Sequence, residues 1–170
     1  ILLPTVPYGV NTGQMDLPMT INMNPSTQMA LLDDVAASLD AHGVPKQFLE
    51  EVKRTRLGGV EIAAADGGGY IVTFPGCAPL RPAAGIMLDF TKRLGWLDAQ
   101  GMQQQLIGPW LDVHGQELPP ANGQEWVRQL NNAMAESISG SGRRLLAHAT
   151  LHLADPQAAA RELERCVTRL

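Results

Sequence analysis

From Asp89 to Leu170 the sequence switches repeatedly between two periodicities, and that alternation restricts the fold more than any other feature. Helical spacing over Asp89–Asp98 stops at Gly101, and strand-like text follows at Gln103–Ile107. Asn122–Ile138 returns to helical spacing, with Trp126, Leu130, Met134 and Ile138 in register. Leu145–Leu153 then reads as a strand and Pro156–Leu170 as a closing helix. Strands separated by helices pair in parallel through right-handed crossovers, with the helices covering the sheet. The expected class is therefore α/β, with parallel strands in strand–helix units.

The upstream half is less regular. Ile1-Leu2-Leu3-Pro4 reads as a strand and is followed by a loop rich in glycine, asparagine and proline. A helix is expected from Asn24, whose side chain can cap it, with Pro25 at the first helical position. Leu31, Leu32, Val35, Ala36 and Leu39 would face a core, and Gly43 would supply the left-handed stop. A second helix, about Gln47–Arg54, places Phe48, Leu49 and Val52 on one side. Val60–Ala64 and Tyr70–Phe74 flank Asp66-Gly67-Gly68-Gly69, a hairpin signal because consecutive positive φ angles favour glycine and aspartate. The same glycine run lacks the lysine, threonine and following helix of a phosphate-binding loop.

Bulk properties exclude several classes. Hydrophobic residues make up 45% of the 170 and charged residues 18%, which fits a folded globular protein. A net charge of −4 gives no electrostatic reason to expect nucleic acid or an anionic membrane as partner. No apolar run approaches the roughly 20 residues that a membrane helix needs. Cys77 and Cys166 show no metal-ligand spacing, so a reducing cytoplasm is the expected compartment. Ile1 is not an initiator methionine and Leu170 falls inside a predicted helix, so the chain is expected to be a fragment.

Few residues invite chemistry. On a strand, His148, Thr150 and His152 would share one face, and two imidazoles there could begin a zinc site. No third ligand stands at a recognisable spacing, which favours ordinary polar strand residues. His42 and His114 fall in loop or helix-end settings and read as surface residues. Asp33 and Asp34 are adjacent on a helix, face different directions, and read as a solvated surface. Arg81 follows a loop containing proline and glycine, where few apolar neighbours explain it. Its guanidinium could hold a carboxylate through two parallel hydrogen bonds, or be an ordinary surface charge.

Two resemblances add to this reading. Arg81-Pro82, the block from Lys92 to Gly101, Gln129-Leu130-Asn131-Asn132, the block from Arg143 to Leu151, Asp155-Pro156 and Ala158 to Cys166 follow in order. In that order and spacing, residues 47–170 resemble the amidohydrolase branch that contains aminocarboxymuconate-semialdehyde decarboxylase. The resemblance implies partial (β/α) barrel-like units, preceded here by a short α/β segment. It also implies a divalent metal, often zinc, and decarboxylation or hydrolysis of a small carboxylate. Arg81 matches an arginine that contacts the substrate carboxylate in the decarboxylases. The metal ligands do not carry over, because Ala41-His42-Gly43-Val44-Pro45-Lys46 stands where a His-x-His is expected. Asn132 replaces a common aspartate and is given no role.

Residues 1–46 are similar to the creatininase family through Leu3 to Gln14 and Thr20 to Gln28. Thr12-Gly13-Gln14 stands where that family places metal ligands, and its glycine-rich segment after Lys46 is missing. The expectation is a chimera: a creatininase-like segment, 1–46, joined to a partial amidohydrolase-like domain, 47–170. The intact relatives would be metal-dependent decarboxylases or hydrolases. This chain would bind no metal tightly and show no turnover alone. The alternatives are a creatininase-like amide hydrolase and a non-catalytic oligomerising module. Missing barrel strands would leave open edges that a second copy can cover.

Overall fold

Parallel pairing requires long connections, and in the computed structural model helices supply them. The structure describes residues 42–170. In order, these form β1 (His42–Gly43), α1 (Lys46–Thr55), β2 (Glu61–Ala65), β3 (Gly69–Thr73), α2 (Phe90–Ala99), β4 (Gln105–Pro109), α3 (Pro120–Ser139), β5 (Leu145–Ala147) and α4 (Pro156–Arg169). The strand expected at Ile1–Pro4, the helix expected from Asn24, and Asp33 with Asp34 lie outside the described residues.

Three strands form a parallel sheet in the order β1-β4-β5. His42 lies opposite Gly108, and Gln105–Ile107 run alongside Leu145–Ala147. The α/β class and the parallel relation of the strands near Gln103–Ile107 and Leu145 hold as read from the alternation. The predicted hairpin also forms, with β2 antiparallel to β3 in register from Glu61↔Thr73 to Ala65↔Gly69. Its turn carries Gly67 at φ 72° and Gly68 at φ 81°, a left-handed pair that side chains other than glycine strain to adopt. Tyr70 of β3 donates its hydroxyl hydrogen to Glu50 of α1, which ties the hairpin to the first helix.

The core lies between α1, the hairpin, the sheet and α3. Phe48, Leu49 and Val52 of α1 are buried, as their spacing predicts, together with Ile107, Leu145, Leu130 and Met134. Trp126 of α3 is fully buried. Its ring meets Phe48 edge-on at 4.9 Å and Phe74 at 5.2 Å. Its indole nitrogen donates to Val113 O at 2.8 Å, which satisfies the one polar group that burial would otherwise strand. Two aspartates cap helices: Asp89 accepts from the Thr91 and Lys92 amides, and Asp155 from those of Gln157 and Ala158.

Two local readings need correction. Gly43 is not a helix stop but a residue of β1, where the Trp110 amide donates to its carbonyl at 2.9 Å. A β-carbon there would sit 2.7 Å from Phe90 Cε1, so close packing rather than a left-handed turn requires glycine. The last strand is also shorter than predicted, ending at Ala147 rather than Leu153. Beyond it, side-chain amides replace a neighbouring strand. Asn131 bonds both backbone groups of Thr150, at 2.8 and 2.9 Å. Gln116 bonds Leu151 O and the Leu153 amide, and Gln124 bonds His152 O.

A buried arginine bonds strand β1. Arg93 of α2 has no solvent exposure. Its Nη2 donates to His42 O at 2.7 Å and Ile86 O at 3.4 Å, and Nη1 donates to Gln105 Oε1 at 3.2 Å. Removing one partner from such a set strands the others without water. Arg93→Met is expected to lower unfolding free energy by about 2–4 kcal/mol, measured by urea denaturation. A loss under about 1 kcal/mol would show that β1 is held by other contacts.

Candidate functional site

In open parallel sheets, ligands bind beyond the carboxyl ends of the strands, where the loops begin. That end carries most of the polar side chains singled out in the sequence. His42 comes from β1, and His148 follows β5 directly, its amide still donating to Ile107 O at 3.0 Å. Between them lies Gly108 of β4. A β-carbon on Gly108 would sit 3.3 Å from His42 Cδ2, 3.6 Å from His42 Nε2 and 3.9 Å from His148 Cδ2. The two imidazoles therefore both lie close to the glycine of the central strand. His114, in the loop after β4, places its Nε2 3.4 Å from Pro109 O.

Arg81 reaches the same end of the sheet. Its Nε and Nη2 both donate to Asp112 Oδ2, at 3.2 and 2.9 Å. Asp112 sits in the single turn Leu111–Val113 that directly follows β4 and Trp110. Arg81 thus meets a carboxylate through two donors that converge on one of its oxygens, and that carboxylate belongs to the protein itself.

His148, Thr150 and His152 do not share a strand face, because β5 ends before they could alternate along it. His148 is exposed, whereas Thr150 and His152 are buried. His152 Nε2 lies 3.2 Å from Leu118 O, so that nitrogen must carry the proton, and Nδ1 is buried without a partner. Its ring lies against Gly123 of α3, where any β-carbon would collide at 2.2–2.6 Å. His152 is a packed core residue. His42 departs from its reading as a loop residue, because β1 brings it, like His148, close to Gly108. Nothing in the local sequence signals that arrangement, since 105 residues lie between the two histidines.

Both family resemblances imply a divalent metal. Among the described residues no group of three or more His, Cys, Asp or Glu side chains is placed to hold one. Two imidazoles alone fall short of the three protein ligands usual for catalytic zinc, so the described residues do not fit a tight metal site.

The Asn131-Asn132 and Glu162 to Cys166 blocks form a second polar cluster, and its role is structural. Glu162 is 8% exposed and accepts from Asn131 at 2.7 Å and from Arg165 through two bonds of 2.8 Å. Arg165 also donates to Asn132 Oδ1 at 2.8 Å, a role for Asn132 that the sequence did not reveal. Burial and the bond to Glu162 push the Cys166 thiol up to about 11, which keeps it protonated and a poor nucleophile.

The comparisons with known proteins are partial. A family model described as creatininase, creatinine amidohydrolase, matches residues 1–50, a stretch that runs into α1. No curated protein matches. Among solved structures, a Staphylococcus aureus crystal structure described as a candidate amidohydrolase is 27% identical, with a TM-score of 0.42. That likeness covers 46% of this chain and 25% of the other, and is too loose to argue from. The chain thus spans about a quarter of the length of the solved protein it matches. Among the described residues no helix is long and apolar enough to cross a membrane.

Burial opposes charge on Glu162, but hydrogen bonds from Arg165, Asn131 and Cys166, with the Arg165 charge, outweigh it and hold the carboxyl below its ordinary 4.5. A depressed carboxylate stabilises the fold above its unfolded value, and that contribution is lost as pH falls through the folded value. The thermal midpoint is therefore expected to fall as the medium is acidified below 4.5. Glu162→Gln should start lower near neutral pH and show a flatter acid limb; parallel curves for the two proteins would contradict this.

Proposed function

We propose that this chain is part of an amidohydrolase-type enzyme, a decarboxylase or hydrolase of a small carboxylate substrate, that does not turn over by itself. The observation that carries this reading is the placement of Arg81 at the carboxyl end of the parallel sheet, with its fork on a carboxylate. In that role Arg81 would orient the substrate carboxylate, and His42 and His148 would flank the space over Gly108. The divalent metal of intact relatives, zinc in many of them, finds no fitting ligand set among the described residues. The creatininase match over residues 1–50 agrees with the hydrolytic form of this reading.

A second reading, an oligomerising module, also has an observation behind it. A cleft of about 410 Å³ runs between α3 and α4 beside β5, lined in part by Leu146, Leu163, Val167 and Leu170. These side chains are exposed, Val167 at 77%. A second copy of the chain is the occupant proposed, because an apolar face beside a strand edge that has no partner among the described residues favours self-association. Light scattering is expected to show a dimer or larger species that Val167→Glu dissociates; a wild-type monomer at working concentrations would end this reading.

Calorimetric titration with a pyridine dicarboxylate tests the carboxylate role. Arg81→Ala should weaken binding by about tenfold while leaving the thermal midpoint unchanged, because an exposed arginine contributes little packing. Equal affinity would reduce Arg81 to a surface charge. Decarboxylase or amidase activity that chelation abolishes and metal restores would overturn the expected absence of turnover.

A further inference from the structure

We propose that Asp112 is a built-in competitor for the Arg81 fork, so that a small carboxylate must displace it to bind. The inference rests on the reading of Arg81 as a carboxylate-binding residue and adds a regulatory contact to that site. Both Arg81 donors converge on one oxygen, Asp112 Oδ2, and they come from the Nε–Nη2 edge, an edge that can grip a carboxylate bidentately. A ligand carboxylate and Asp112 would therefore contend for the same two hydrogens.

The two partners are unequally anchored. Asp112 is 27% exposed and lies in a turn between the buried residues Trp110 and Val113, with the Val113 amide donating to Trp110 O at 3.0 Å. Arg81 is 79% exposed and lies on the loop after the hairpin, so its donors are open to a ligand arriving from solvent while they stay beside Asp112. An ion pair this open to water is weak, and a ligand can replace it at little cost. After displacement the Asp112 charge remains beside the incoming anion and opposes it. A carboxylate that binds Arg81 therefore exchanges one contact for another against the Asp112 charge, so the contact sets a threshold for binding.

The test uses the full chain, a pyridine dicarboxylate and three variants. Asp112→Asn keeps the side-chain shape and removes the charge, and should tighten binding about fivefold. Arg81→Ala with Asp112→Asn should not bind better than Arg81→Ala alone. Binding by Asp112→Asn alone, with none by wild type, supports the proposal. Wild-type binding that Asp112→Asn leaves equal or weakens would overturn it and make Asp112 a positioning residue for Arg81. No binding by either protein removes the carboxylate reading of Arg81 and the competition with it. A measurement without any variant gives the same decision: in wild type, the Asp112 carboxyl carbon resonance should shift as ligand saturates. A resonance that stays fixed at saturation overturns the proposal.

Discussion

The carboxyl end of the sheet depends on the buried guanidinium of Arg93. Among the described residues β1 pairs with β4 at His42 and Gly43. Arg93 adds to that pairing by bonding the His42 carbonyl, the Ile86 carbonyl and the Gln105 side chain at once. A planar group with five donors can join three elements, and away from water each charge-assisted bond is stronger. Because His42 lies on β1, the position of one site imidazole follows from a residue on the helix behind the sheet.

The other side of the site is shaped by how the chain leaves the sheet. After Ala147 a regular strand would have carried His148, Thr150 and His152 outward together. Asn131, Gln116 and Gln124 instead satisfy the backbone from Thr150 to Leu153, so the segment has no need of a neighbouring strand. His148 is left exposed beside Gly108, and His152 turns inward against Gly123. One departure from the ladder thus separates two histidines that look equivalent in the sequence. The Glu162 cluster fixes the same segment from behind, since Asn131 bonds both Thr150 and Glu162.

Much of the local structure was legible. The helices, the hairpin with its two left-handed glycines, and the parallel relation of β4 and β5 follow from periodicity and turn chemistry, which act between near neighbours in sequence. Strand length was not legible, because it is set by whether a partner or a side-chain amide meets each backbone group. Gly43 was misread for a similar reason: its constraint is the Phe90 ring, 47 residues away. Asn132 gained its partner Arg165 only when α3 and α4 packed together.

The sequence by itself determined the α/β class, the burial pattern of α1 and α3, and the placing of Arg81 on a loop past the hairpin. These follow from apolar spacing and from glycine and proline punctuation, which are properties of short stretches. Only the tertiary structure decided that His42 and His148 both lie close to Gly108, that His152 packs against Gly123, and that Arg81 is already held by Asp112. Each of these arrangements joins residues far apart in the chain. Their meeting depends on the register of parallel strands and the packing of the helices between them, which no local pattern encodes.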